Sequence, residues 1–185
     1  KKYSTFRYLD IGGGLGIRYK EDQEPLLPMT FAEAVVPILK PLGLKIVMEP
    51  GRYLVGNAGI LVTRVEYVKR TGKKNFVIVD AAMNDLIRPA FYDSYHEIVP
   101  VARNGRHALV SSDVVGPICE SGDYFAKDRA LPRVGEGDHL ALLSAGGRAI
   151  GGRNPRNAYS FVATTNVPSD VELPHTRSAS VSSEV

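Results

Sequence analysis

The chain has 185 residues, of which 44% are hydrophobic, and a formal net charge of +3, with basic residues dispersed among acidic ones. This length suits one domain or parts of two, the dispersed charge argues against a nucleic-acid partner, and no apolar run reaches the roughly 20 residues that cross a membrane. The single cysteine, Cys119, can form no intramolecular disulfide, which favours a reducing, cytoplasmic compartment.

The first 55 residues predict a strand–helix–strand unit. Residues 6–11 form an apolar, strand-like segment, and a capping box at residues 30–33 predicts a helix through about Leu39. Residues 44–48 are almost wholly apolar, which is typical of a strand in a parallel sheet that is buried on both faces. The carboxyl ends of two such strands lie at the same edge of the sheet, where α/β proteins bind ligands.

Two loops at this edge are candidate anion sites. Gly12, Gly13 and Gly14 follow the first strand, and the absence of a Cβ lets backbone N–H groups crowd around a phosphate. Residues 49–52 (Glu-Pro-Gly-Arg) follow the second strand, and the guanidinium of Arg52 suits a carboxylate or a phosphate. The alternatives are an ordinary glycine turn and an ordinary strand-to-helix turn with a surface ion pair.

The sequence after residue 55 predicts mostly β structure. The predicted strands lie at residues 60–69, 76–79, 98–102, 108–110, 138–144 and 162–167. Asn104-Gly105 predicts a type I′ hairpin between the strands on either side of it. In the first of these strands, the residues expected on one face are Leu61, Thr63, Val65 and Tyr67. Beyond Pro168 the polar composition predicts disorder.

Residues 80–93 form a third candidate site. Arg88 and Tyr92 are four positions apart, so they share a face if this segment is helical. Pro89 would be tolerated only in the first turn of that helix. The two polar side chains could hold a substrate carboxylate, and a surface helix with a hydrogen-bonded tyrosine is the alternative.

A fourth candidate is Cys119, which lies beside Glu120 in a loop bounded by glycines. A thiol acts as an acid or a nucleophile when its surroundings tune its pKa, whereas a lone cysteine is otherwise a small buried hydrophobe. The histidines lack the spacing of metal ligands, so we interpret them as structural or exposed and predict no metal site. They are His96, His107, His139 and His175.

Four segments together resemble the diaminopimelate decarboxylase family, whose members use pyridoxal 5′-phosphate. They are LDIGGGLGI at 9–17, EPGRYLVGNAGILVTRV at 49–65, DAAMNDLIRPAFYDSYHEI at 80–98 and DVVGPICESGDYFAKDRALP at 113–132. The related ornithine and arginine decarboxylases share the glycine loop and EPGR but not NDLIRPAFYDSYHEI, so the diaminopimelate family is preferred. The resemblance extends over about residues 6–146.

The resemblance implies a fold of the α/β plus all-β class, similar to that of alanine racemase. Residues 1–55 would form the last part of a (β/α)8 barrel that holds the cofactor, and residues 56–146 would form a C-terminal β-rich, barrel-like domain. The implied reaction is the decarboxylation of meso-2,6-diaminopimelate to L-lysine and CO2, a step of lysine biosynthesis.

The resemblance also implies which residues contact the cofactor. Glycines of the first loop would lie under its phosphate, and the second loop would continue the wall around the phosphate and the pyridine ring. The implied cofactor-binding residues are Gly12, Gly13, Gly14, Glu49, Pro50, Gly51 and Arg52.

A second set of residues is implied to contact the substrate. Arg52 would reach it, Arg88 and Tyr92 would bind a carboxylate, and Glu120 would bind the distal amino group. Cys119 would be the proton donor. In the family the Cys-Glu loop enters the active site of the other subunit, so a head-to-tail homodimer with shared active sites is implied.

The sequence departs from the family pattern at both ends. The family's cofactor lysine precedes the glycine loop, and no match to its motif is present, so we expect an incomplete portion of an enzyme that is inactive and unstable alone. After residues 144–146 (Ser-Ala-Gly) the family continues with Ala-Tyr-Gly-Phe, whose tyrosine contacts cofactor and substrate, whereas here Arg148 stands near that position. Nothing after Gly146 is seen to match, so residues 147–185 are interpreted as a frameshifted or disordered tail, or else a divergent one.

Two other functions stay open at this point. A decarboxylase-like chain without catalysis could pair with a complete subunit through the shared dimer surface. A decarboxylase that acts on another basic amino acid is the second alternative. The presence of Arg88, Tyr92, Cys119 and Glu120 favours a catalytic ancestry.

Overall fold

The fold is given by a computed structural model, which describes residues 5–102, 108–146 and 161–163. The described residues form, in chain order, β1 (Tyr8–Asp10), α1 (Pro28–Leu39), β2 (Lys45–Val47), α2 (Gly51–Val55), β3 (Gly59–Arg70), β4 (Asn75–Val79), α3 (Arg88–Tyr92), β5 (Ile98–Pro100), β6 (Leu109–Val115), β7 (Tyr124–Pro132), β8 (His139–Leu142) and β9 (Phe161–Ala163). Two 3₁₀ turns, Lys40–Leu42 and Gly56–Ala58, directly follow α1 and α2.

β1 and β2 form a parallel pair connected by α1, which confirms the predicted strand–helix–strand unit. The register runs from Tyr8 opposite Lys45 to Asp10 opposite Val47. Parallel pairing places the ends of both strands, and the loops that follow them, at one edge of the pair.

The start of α1 differs from the prediction. The helix begins at Pro28, and the preceding Leu27 makes no side-chain capping hydrogen bond, so the capping box at residues 30–33 is wrong. Proline suits the first helical position because its φ is already helical and its missing N–H would have no partner there. The helix continues through Pro37 and ends at Leu39, as predicted.

The burial predicted for residues 44–48 is also wrong. Ile46 and Val47 are 37% and 40% exposed, because β2 pairs with β1 alone. The helix likewise leaves Met29 and Ile38 exposed. In the part of the chain that the structure describes, this unit forms a two-stranded sheet and no closed (β/α)8 barrel.

The other strands form one seven-stranded sheet. Its hydrogen-bonded order is β5-β8-β3-β4-β6-β7, and β9 pairs with β3. β4 and β6 are parallel, and the other neighbours are antiparallel. The end strands β5 and β7 contact each other, so the sheet curls into a nearly closed barrel. The predicted β-rich, barrel-like part is therefore confirmed.

The hydrophobic core fills the inside of this barrel. At a bulge in β3, the alternation between side chains that point into the core and side chains that point outward reverses. Leu61, Thr63 and Val65 are buried and share one face of the strand, as predicted. The pairing with β4 shifts between Val65 and Tyr67, and Tyr67 is 55% exposed. Val68 packs against the core in its place. A bulge adds one residue to the strand and thereby reverses the alternation that follows.

The hairpin predicted between residues 98–102 and 108–110 is wrong. β5 pairs with β8, from Ile98 opposite Leu142, whereas β6 pairs with β4 and β7. β6 pairs with β7 in the longest antiparallel ladder of the sheet. This pairing takes the place of the predicted hairpin. Asn104-Gly105 lies outside the described residues.

Beyond Gly146 the structure describes residues 161–163, so it tests the predictions for this part of the chain at those residues alone. The strand predicted at residues 162–167 overlaps β9, which pairs with residues Gly59, Ile60 and Leu61 of β3. The disorder predicted beyond Pro168 and the interpretation of residues 147–160 fall outside the described residues.

Candidate active site

The two loops at the ends of β1 and β2 lie side by side. The Glu49 N–H donates to the Gly12 carbonyl at 2.8 Å, and the Ile11 N–H donates to the Val47 carbonyl at 3.1 Å. The Gly12 N–H donates to the Asp10 carboxylate at 2.8 Å. Parallel pairing thus brings together the two segments in which the sequence predicts cofactor-binding residues.

The glycine loop has the geometry of a phosphate cradle. Gly12 and Gly14 have φ values of +68° and +100°, which only glycine adopts readily. A Cβ on Gly13 would overlap the carbonyl oxygen of Glu49, whereas the space beside Gly12, Gly14 and Gly51 is open. Exposed backbone beside open space fits a phosphate group, so these residues suit pyridoxal phosphate.

Arg52 lies on α2, which connects this loop pair to the barrel. Gly56 ends α2, and a Cβ there would come within 2.6 Å of the Ile17 side chain. On the barrel side, the Gly146 N–H donates to the Gly56 carbonyl at 3.0 Å, and the Ala145 N–H donates to the Gly59 carbonyl at 2.8 Å. The segment after β8 therefore fixes α2, and with it Arg52, against the sheet.

Arg88 and Tyr92 lie on the predicted helix, α3, with Pro89 in its first turn. Arg88 is half-buried, and its guanidinium donates to the Tyr19 hydroxyl at 2.8 Å and to the Ser94 hydroxyl at 2.9 Å. Tyr92 is 63% exposed. The helix thus directs Arg88 toward the segment that follows the glycine loop and leaves Tyr92 in solvent.

His96 is a buried residue that sequence reasoning did not assign to the site. It is 1% exposed, its Nδ1 lies 2.9 Å from the Leu143 carbonyl, and its Nε2 has no partner among the described residues. A carbonyl only accepts hydrogen bonds, so Nδ1 carries the proton of the neutral ring. Burial lowers the pKa of His96, and the charges of Arg88, Arg129 and Arg52 lower it further, against the opposing effect of the Leu143 hydrogen bond.

The charges of two predicted substrate residues lower the pKa of the same buried histidine. Arg52 and Arg88 come from segments 36 positions apart, yet both act on the same imidazole. A region with several arginines and a neutral histidine attracts anions.

The His96→Gln variant is expected to show a weaker dependence of the free energy of unfolding on pH. Since folding lowers the pKa of His96, the unfolded chain binds a proton before the folded chain does as the pH falls through about 6.5. Stability is therefore lost on acidification through that value. Urea unfolding at about pH 5.5 and about pH 7.5 measures this difference, which should shrink in the variant.

The exposed His139 offers a matched control. The His139→Gln variant should keep the full pH difference of the unmodified chain. If His96→Gln keeps it as well, other groups carry the pH dependence.

Cys119 and Glu120 lie on a separate loop between β6 and β7. Cys119 is exposed, so the alternative of a buried hydrophobe is wrong. Among the described residues, the Glu120 carboxylate accepts a long hydrogen bond from the neighbouring Ser121 hydroxyl at 3.3 Å. Both side chains are thus accessible to solvent.

Asp123 anchors this loop to the segment that precedes α3. Its carboxylate is 3% exposed and accepts hydrogen bonds from the Ile118 N–H at 2.8 Å and the Met83 N–H at 2.7 Å. A Cβ on Gly116 would overlap that carboxylate, so the approach depends on a glycine. The loop of Cys119 and the segment that leads to Arg88 therefore share one anchor.

The structure describes residues 5–102, 108–146 and 161–163. In these ranges no three His, Cys, Asp or Glu side chains are grouped so that they could hold a metal ion. Among the helices of the same ranges, none is long and apolar enough to cross a membrane.

Comparison with known proteins shows the family. A family model described as the C-terminal sheet domain of pyridoxal-dependent decarboxylases matches residues 8–146. The chain belongs to this family. Its members depend on pyridoxal phosphate, and the glycine loop described above fits that cofactor.

The similar proteins are named diaminopimelate decarboxylases, the family that the four sequence segments resemble. Diaminopimelate decarboxylase of Aquifex aeolicus is 54% identical over 147 residues, which are 79% of this chain and 34% of that protein. Diaminopimelate decarboxylase of Pseudomonas fluorescens is 49% identical over 160 residues, which are 86% of this chain and 35% of that protein. The chain thus spans about a third of the length of these relatives.

A solved structure extends this similarity to the fold. The crystal structure of diaminopimelate decarboxylase from Helicobacter pylori complexed with L-lysine superposes with a TM-score of 0.68 at 41% identity. The match covers 76% of this chain and 34% of that one. The barrel-like sheet is therefore the C-terminal sheet domain of the decarboxylase fold.

One expectation from the sequence is corrected by the lengths of these matches. A match that covers 86% of the 185 residues must extend past Gly146, so the expectation that nothing beyond Gly146 matches is wrong. Residues 158–161 read Ala-Tyr-Ser-Phe and differ at one position from the Ala-Tyr-Gly-Phe motif expected directly after Gly146. Tyr159 is therefore a candidate for the tyrosine that the family pattern places near Arg148. It lies 11 positions further along the chain than that pattern predicts.

Proposed function

We propose that this chain supplies part of the active site of a diaminopimelate decarboxylase, which converts meso-2,6-diaminopimelate to L-lysine and CO2 in lysine biosynthesis. The observation that carries the proposal is the 54% identity with the Aquifex aeolicus enzyme over 79% of this chain. Cytoplasmic location belongs to the same proposal.

The cofactor is held by the two loops at the ends of β1 and β2. Gly12, Gly13 and Gly14 lie under its phosphate, and residues 49–51 form the adjacent wall with Arg52. Pyridoxal phosphate, when bound, stabilises the negative charge that remains on the substrate carbon after CO2 leaves. The open space beside the glycines supports this placement.

The substrate is bound through charges of this chain. Arg88 binds a carboxylate with the guanidinium donors that Tyr19 and Ser94 leave free, and Arg52 and Tyr92 complete the contact. A substrate with two carboxylates and two ammonium groups needs several charged contacts to bind in one orientation.

The loop of Cys119 serves a second subunit in this proposal. The Cys119 thiol holds the proton that the substrate carbon receives, and the Glu120 carboxylate binds the distal ammonium group. The exposure of both residues supports a head-to-tail homodimer in which each loop enters the partner's active site.

The strand–helix–strand unit is assigned to the last part of a (β/α)8 barrel. Its parallel pairing and its exposed apolar side chains support this assignment, because a barrel would cover both faces of such strands. Tyr159 is assigned the cofactor and substrate contact of the family's Ala-Tyr-Gly-Phe motif.

A chimaeric enzyme tests the function. Residues 8–146 replace the matching segment of the Aquifex aeolicus decarboxylase, and CO2 release is measured with meso-diaminopimelate, ornithine and arginine as substrates. Activity with diaminopimelate supports the proposal, and a preference for another amino acid changes the substrate. A folded, cofactor-loaded chimaera without any activity would favour a non-catalytic chain, which mixing with an intact subunit would show as a heterodimer.

A further inference from the structure

Arg88 is oriented by two neutral hydroxyl groups. One guanidinium nitrogen, Nη1, donates to the Tyr19 hydroxyl at 2.8 Å, and the other, Nη2, donates to the Ser94 hydroxyl at 2.9 Å. The guanidinium carbon also lies 5.5 Å from the centre of the Tyr19 ring. Two hydrogen bonds from different nitrogens fix the plane of the group, and three of its five N–H donors remain.

These partners fix Arg88 without neutralising it. Among the described residues, no carboxylate forms an ion pair with Arg88. Glu97 instead accepts a hydrogen bond from the Tyr95 hydroxyl. An arginine that is half-buried and paired with neutral oxygens keeps its full charge for an incoming anion.

Tyr19 is itself held in place by the buried histidine. The rings of Tyr19 and His96 meet edge to face, with centroids 5.6 Å apart and an angle of 81° between their planes. His96 is fixed in turn by its hydrogen bond with the Leu143 carbonyl. A continuous set of contacts therefore runs from the end of β8 through His96 and Tyr19 to Arg88.

We propose that Tyr19 and Ser94 are positioning residues for Arg88, which fix its guanidinium while leaving its charge available to a substrate carboxylate. Tyr19 follows the glycine loop in sequence, so it also links the position of Arg88 to the cofactor segment. The identity of the anion rests on the proposed function, whereas the positioning of Arg88 does not.

The mobility of the Arg88 side chain tests the positioning. In the full 185-residue chain, NMR spectroscopy measures the rotation of the Arg88 guanidinium about its Cζ–Nε bond. Tyr19→Phe keeps the ring and removes the hydroxyl, and rotation should become about tenfold faster with the loss of a charge-assisted hydrogen bond. Ser94→Ala should have a similar effect, and Tyr67→Phe at an exposed tyrosine should have none.

A Ser94→Asp variant separates orientation from charge. The new carboxylate should keep Arg88 fixed but neutralise it, so rotation stays slow while the affinity of the chimaeric enzyme for meso-diaminopimelate falls about tenfold. Unchanged rotation in both Tyr19→Phe and Ser94→Ala overturns the positioning role, and unchanged affinity in Ser94→Asp overturns the role of the free charge. Faster rotation in Tyr19→Phe, together with a folded, cofactor-loaded chimaeric enzyme that does not bind diaminopimelate, supports the positioning role and contradicts the proposed function instead.

Discussion

The Gly13→Ala variant is expected to lose about 2 kcal/mol or more of unfolding free energy, within the range of overpacked sites. A Cβ at this position would overlap the Glu49 carbonyl oxygen, which is a backbone atom and cannot rotate away. The loops after β1 and β2 would have to separate, which also weakens the hydrogen bond between the Glu49 N–H and the Gly12 carbonyl. Urea unfolding of the full chain measures the change.

Gly16 provides the matched control for this prediction. It lies in the same loop, its φ is not positive, and a Cβ there would meet open space. Gly16→Ala should therefore be neutral or stabilise by a few tenths of a kcal/mol. Equal stability of the two variants would mean that the loops are not as close as the structure places them. In the chimaeric enzyme, Gly13→Ala should also release pyridoxal phosphate more readily than Gly16→Ala.

The Cys119→Ala variant of the chimaeric enzyme is expected to show a kcat lower by about 10²-fold or more, the usual contribution of a positioned acid or base. The thiol is proposed to hold the proton for the substrate carbon, and alanine has none to give. The absorbance of bound pyridoxal phosphate should persist, since Cys119 lies on a separate loop from the glycines.

Ser121→Ala, two positions further along the same loop, is the control for a general disturbance of the loop. It removes only a hydrogen bond to Glu120 and should leave kcat within about twofold. If Cys119→Ala turns over diaminopimelate as fast as the unmodified chimaera, Cys119 is not the proton donor.

The strand–helix–strand unit could be predicted because its signals are local. Apolar runs of strand length followed by glycines indicate parallel strands, and the structure pairs them as expected. The helix start could not be predicted from the capping box, because Pro28 fixes the first turn two positions earlier than Thr30 does. Burial could not be predicted from composition either, since it depends on what surrounds β2.

Strand pairing in the barrel was harder to predict because it is non-local. Asn-Gly is a strong hairpin signal, yet β5 pairs with β8 about forty residues further along the chain. β7 was not predicted because Lys127, Asp128 and Arg129 interrupt its pattern, and Asp128 has a positive φ of 47° within the strand. Pairing between distant strands, rather than the local sequence, determines both the partner of β5 and the presence of β7.

In the candidate site, too, local features could be predicted from the sequence and long-range contacts could not. The positions of Arg88 and Tyr92 on a helix followed from their spacing and from Pro89. His96, Tyr19 and Ser94 could not be assigned to the site from the sequence. Nothing in the sequence indicates that His96, just before β5, contacts a tyrosine 77 positions earlier. Such contacts exist only after the barrel and the glycine-loop segment have packed together.

The anchor at Asp123 has a consequence for protein engineering. Because one buried carboxylate binds both the loop of Cys119 and the segment at Met83, a loop transplanted from another member of the family must carry an aspartate at this position. A loop without it would leave the N–H groups of Met83 and Ile118 without this acceptor. The glycine at position 116 and the aspartate at position 123 must be transferred together, and the effects of their substitutions on stability are expected not to add.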